Sequence, residues 1–106
     1  MTPRAKRALK HVTEFLFEHG IEVEAAWLDP TSGKQREKVM TRHLVWEHMA
    51  ENNPHMSLRQ IALETGTRDH ASIIYGIRRA PHWRAVLRGQ IIPAGWRKKP
   101  LDTPET

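Results

Sequence analysis

Five consecutive residues, Arg68-Asp69-His70-Ala71-Ser72, put a cation, an anion, an imidazole, a methyl and a hydroxyl within little more than one helical turn. Asp69 has the type and setting of a helix N-cap, so the group stands at the start of a helix. A helix start favours a nearby anion, because its first amides point outward. Arg68, His70 and Ser72 would add donors beside them. The other chemistries open to this chain are less well supplied. Seven histidines suggest metal ligation, but His43 and His48 are five apart, which does not align them on a helix as a spacing of four does. His11 and His19 are eight apart, and no carboxylate stands at ligand spacing to either pair. Hydrolytic chemistry needs converging carboxylates, whereas the acids gather at Glu22, Glu24 and Asp29 or serve as caps. No enzyme activity, metal or cofactor is therefore expected.

Charge points the same way as the five-residue group. The chain carries a net +5, and its distribution matters more than its size. Residues 21–33 hold Glu22, Glu24 and Asp29 with no compensating base. Residues 67–92 hold Arg68, Arg78, Arg79, Arg84 and Arg88 against Asp69 alone. Basic charge gathered in one segment is the footprint of a polyanion partner, although a solvated basic surface reads the same from charge alone. At 106 residues there is material for one core and not for two ordinary domains. There is no cysteine, which removes disulfides and thiolate zinc sites and fits a reducing cytoplasm. No apolar run approaches membrane-spanning length, and no continuous apolar segment follows the N-terminus as a secretory signal would require.

These residues need elements to position them, and the periodicity is helical throughout. Thr2-Pro3 is a helix start. Ala8, Val12, Phe15, Leu16 and His19 then recur on one face as far as Gly20, leaving Arg4, Arg7 and Lys10 outside. Residues 22–28 predict a short second helix, stopped by Asp29-Pro30. Thr31–Gln35 is a polar loop. A longer helix spans about 36–51, with Met40/Leu44 and Val45/Met49 as inward pairs. Ser57 opens the next with a capping box closed by Gln60, and Leu58, Ile61 and Ala62 are its buried side. Gly66 ends it. Asp69 starts another, with Ile73, Ile74 and Ile77 inward, which must stop before Pro81. Pro81 itself suits the first turn of a last helix bearing Trp83, Val86, Leu87 and Ile91. No strand alternation is present, so the expectation is an all-α bundle of five to six helices over residues 1–92. A mobile basic tail is expected over 93–106. Trp27 and Trp46 are expected in the core.

Two short helices joined by Gly66-Thr67-Arg68 have the make-up of a helix-turn-helix, whose second helix enters the major groove. An ordinary helical hairpin has the same pattern. The run from Ser57 to Arg79 separates the two, because it resembles the signature of the origin-binding domain of the replication initiator DnaA. Its serine-leucine entry, isoleucine, glycine turn and Arg68-Asp69-His70 core all have counterparts there. Upstream, His19–Glu24, Lys34–Val39 and Thr41-Arg42-His43 resemble that family's turn, basic loop and Pro-Arg-Gln segment, in order. The similarity covers roughly residues 7–80.

The resemblance implies sequence-specific binding of double-stranded DNA, in regulation of transcription or of replication initiation. It assigns base-edge reading in the major groove to Asp69, His70 and Ala71, and a base or phosphate contact to Ser72. It puts a minor-groove contact on Lys34, with Arg36 as the alternative. Phosphate gripping falls on Arg42 and His43, and Arg68, Arg78 and Arg79 complete the basic surface. Ala71 stands where the family has threonine, which keeps a methyl and loses a hydroxyl. The basic loop is thinner, and the segment before Ser57 is longer. No Gly-x-x-x-x-Gly-Lys-[Ser/Thr] phosphate loop is present, so a reader without the family's ATPase is expected. A second reading uses the face of Trp83, Val86, Leu87 and Ile91 to hold a protein partner or a second copy of the chain. Packing of that face onto the core is its competitor. Trp96 with Arg97-Lys98-Lys99 reads as a DNA-contacting arm or as part of the tail.

Overall fold

The computed structural model describes residues 2–89, and among them it shows four α-helices, two single 3-10 turns and no strand. Helix α1 spans Pro3–Phe17, α2 Arg36–Asn52, α3 Leu58–Thr65 and α4 His70–Leu87. The 3-10 turns are Ala25–Leu28 and Pro30–Ser32. Most starts and stops are those that local chemistry dictates. Thr2 caps α1 by accepting from the Ala5 amide at 3.2 Å, with Pro3 behind it. Ser57 caps α3 through the Gln60 amide at 3.1 Å. Gly66 closes α3 in the left-handed region at φ 77°.

Helix α2 is the axis of the fold. It packs against α1 and the first 3-10 turn, and most extensively against α4, while α3 bridges α2, α4 and the start of α1. Being surrounded, it is buried almost without interruption from Met40 to Met49, including Arg42, His43 and Glu47. The two inward pairs expected of it are therefore only part of its buried surface. Leu16, Met40, Met49, Ile61, Ile73 and Leu87 are among the fully buried side chains of the common core. Ion pairs tie the elements together: Arg4 with Glu64 joins α1 to α3, and Arg84 with Glu47 joins α4 to α2.

Two helices expected from sequence do not form as drawn. Residues 22–28 make only a single 3-10 turn, because the segment is short and helix nucleation is costly. The chain runs extended through Glu24, and Asp29, held extended before Pro30, ends the turn. Among the described residues no new helix starts at Pro81, since α4 runs straight through it. An interior proline costs about 3 kcal/mol in a helix. Continuing the helix buries Trp83, Val86 and Leu87 to 6% exposure or less, and each such side chain is worth about 1.5–3 kcal/mol. Packing outweighs the break. The expected count of five to six helices thus becomes four among the described residues. Ile91 and the expected tail, 93–106, lie outside the described residues.

Candidate nucleic-acid interface

The five-residue group sits at the exposed N-terminal end of α4, as its types suggested. Asp69 is the cap. Its Oδ1 accepts from the Ala71 amide at 2.9 Å, and its Oδ2 accepts from the Ser72 hydroxyl at 3.0 Å. Arg68, Asp69, His70 and Ala71 are exposed and Ser72 is half-buried. The cap interaction orders the first turn without using all of the carboxylate, because each oxygen has a further lone pair. Arg78 is exposed two turns along the same helix.

A groove of about 440 Å³ runs beside this helix end, between it, α2 and the 30–34 loop. Lys34 and Pro30 line one side, Asp69, Ala71, Ser72 and Tyr75 the other, with Trp46 and His43 among the groups below. The fold thereby brings the loop cation and the α4 start, 35 positions apart in the numbering, to one concave surface. Arg36 is half-buried at the first position of α2.

Arg42 and His43, expected to grip phosphate, both line the groove but are buried beneath it. Arg42 is 6% exposed. Its Nε donates to the Trp27 carbonyl at 2.8 Å, and its terminal nitrogen donates to the Asp29 and Gly33 carbonyls and the Ser32 hydroxyl at 2.7–3.0 Å. A guanidinium aimed at four loop acceptors holds the loop. Lys38 assists by donating to the Ser32 carbonyl at 2.6 Å. His43 is 5% exposed, and its Nδ1 accepts from the Trp83 indole at 2.9 Å. Burial, followed by the nearby Arg79 and Arg42 charges, pushes its pKa down to about 4. It is therefore neutral at physiological pH and carries no charge for phosphate. Arg79 is half-buried, its guanidinium 5.6 Å from the Trp83 ring centre, so it belongs partly to the helix's inner side.

Sequence reasoning missed two groups here. It turned Ile74 inward, but Ile74 is 37% exposed. Ile73 takes the inward position on α4, and Ile74, about 100° further round the helix, falls outside the contact with α2. Tyr75, given no role, is 60% exposed and lies edge-on to His43 with ring centres 5.6 Å apart. The spacing of His70, Ile74 and Arg78, four residues each time, was the available signal. The histidines also pair otherwise than their spacing suggested, with His11 of α1 stacked on His48 of α2 at 4.3 Å.

No protein-family model, curated protein or solved structure matches the chain. No helix among the described residues is long and apolar enough to cross a membrane.

Proposed function

We propose that this protein binds double-stranded DNA sequence-specifically, with α3 and α4 acting as a helix-turn-helix and α4 as the helix that enters the major groove. One observation carries the reading: the exposed, capped start of α4 bears Arg68, Asp69, His70 and Ala71, and Lys34 stands across a groove from it. A helix start with free donors reads base edges, and flanking cations bind phosphate or an adjacent groove. The net charge of +5 favours the same partner. The resemblance to the DnaA origin-binding domain supports a role in regulating transcription or replication initiation, and supplies the assignment of His70 to a base edge. Arg42 enters this reading as a positioning residue, since it shapes the loop that presents Lys34.

Selection of bound oligonucleotides from a random duplex pool is the test. Enrichment of one motif is expected, and recovery of unenriched sequence would overturn specific reading. The adaptor reading is less well supported. Of the face it uses, Trp83, Val86 and Leu87 are spent in the core.

A further inference from the structure

Exposed large apolar side chains are few in α4, and the two that occur are adjacent. Ile73 is fully buried, yet Ile74 is 37% exposed and Tyr75 60%. Ile74 lies one turn after His70 and one turn before Arg78, and all three are exposed, so they form a single outward stripe along the helix. Tyr75 faces the groove instead, where its ring meets His43. Ile74 is thus an apolar group set between polar ones on the face led by the capped helix start.

We propose that Ile74 reads the 5-methyl group of a thymine in the target duplex, next to the base edge met by His70. The inference rests on the DNA-binding reading above and deepens it. The thymine methyl is the apolar group that the bases present in the major groove, so it is the match for an aliphatic side chain entering there. Charge complementarity argues for DNA over a protein as the occupant. The stripe is framed by Arg68 and Arg78, both exposed, and one isoleucine is far short of the several hundred Å² of a protein-binding patch. The spacing also fits. Four residues of helix rise about 6 Å, which is one to two base steps of about 3.4 Å each. His70 and Ile74 can therefore meet neighbouring or next-neighbouring base pairs.

The test uses the full chain and the duplex obtained by selection. Each thymine is replaced in turn by deoxyuridine, which keeps every hydrogen-bonding edge and deletes only the methyl. The expected result is a loss of roughly fourfold in affinity at one thymine, the equivalent of about 0.8 kcal/mol for one buried methyl-sized group. In Ile74→Ala that position should become indifferent to the methyl, while Ile74→Val should retain most of the preference. Ile74 is exposed enough that Ile74→Ala is expected to fold, and circular dichroism checks it. A selected duplex bound equally with thymine or deoxyuridine at every position would overturn the inference and leave the DNA-binding reading intact. So would a deoxyuridine penalty of the same size in Ile74→Ala. Failure to bind any duplex would bring down both.

Discussion

His70 is the side chain at the α4 start whose role is most open to a direct measurement. It is exposed, and it lies beyond the Asp69 cap that orders the turn. His70→Ala should lower affinity for the selected site by about 1–3 kcal/mol and leave binding to random duplex nearly unchanged. A gel-shift comparison of the two duplexes decides it, and equal losses would remove His70 from base reading. Lys34 should behave in the opposite way. A cation that meets the backbone or the minor groove from a loop weakens all sequences together, so Lys34→Ala should reduce the slope of log affinity against log salt by about one. Arg42→Ala added to Lys34→Ala should lower that slope no further, because its guanidinium is committed to Trp27, Asp29, Ser32 and Gly33. Its loss should appear in urea unfolding as about 2–3 kcal/mol, the scale of hydrogen bonds to a charged group. Arg42→Lys should rescue little, since one ammonium cannot reproduce the planar fork. A further fall of the slope when Arg42→Ala is added to Lys34→Ala would return this residue to the phosphate backbone.

At the scale of elements, two glycines make different demands. Gly66 turns the chain between α3 and α4 at φ 77°, and a Cβ there would meet nothing within 4 Å. Its constraint is conformational, so Gly66→Ala should cost about 1–2 kcal/mol. Gly76 is ordinary helix, but a Cβ on it would run into the Trp46 ring and come within 2.7 Å of His43 Cδ2. Both atoms belong to buried side chains of α2, which have little room to give. Gly76 is what lets α4 lie close on α2, and that approach sets where the exposed start of α4 stands relative to Lys34. Gly76→Ala should therefore destabilise by about 1–3 kcal/mol through overpacking. It should also weaken specific binding even where the protein remains folded. Thermal melts and gel shifts of the two variants separate the effects, and a Gly76→Ala protein with unchanged stability would refute the close-packing account.

For the molecule as a whole, buried titratable groups make stability fall towards acid in two stages. His43 is held at about 4 in the folded protein against an ordinary 6.5. Its contribution is complete above 6.5 and is lost as the pH falls towards 4, because the unfolded chain takes up a proton that the folded one refuses. His48 and His82, also lowered chiefly by burial, act in the same sense. Glu64 governs the second stage. Hydrogen bonds from Arg4 and Gln60, joined by Thr2, pull its carboxyl down to about 2 from 4.5. That contribution is present above 4.5 and disappears as the pH falls through 4.5 to 2, loosening the clasp between α1 and α3. Urea unfolding from pH 7.5 to 3 should show decline beginning near 6.5. Glu64→Gln should flatten the part below 4.5 and leave the upper part in place. Stability that does not change between pH 7 and 4.5 would contradict the burial of neutral His43.

Local chemistry in the sequence was enough for the all-helical class, for the caps at Thr2, Ser57 and Asp69, for the Gly66 turn, and for the exposed group at 68–71. Each depends on residues within a turn of one another, whose interactions are the same in any fold. What depended on distant partners was not legible. Residues 22–28 had helical composition but too little length. Pro81 looked like a stop until the burial of Trp83, Val86 and Leu87 outweighed it. Arg42 and His43 look in sequence like free polar groups, and only the loop carbonyls and the Trp83 indole, met 9 to 40 positions away, make them internal. Ile74 was misassigned because three isoleucines within five residues cannot be divided between core and surface by composition. The packing of α4 on α2 through Gly76 made that division, since a helix's inward face is set by the neighbour it touches.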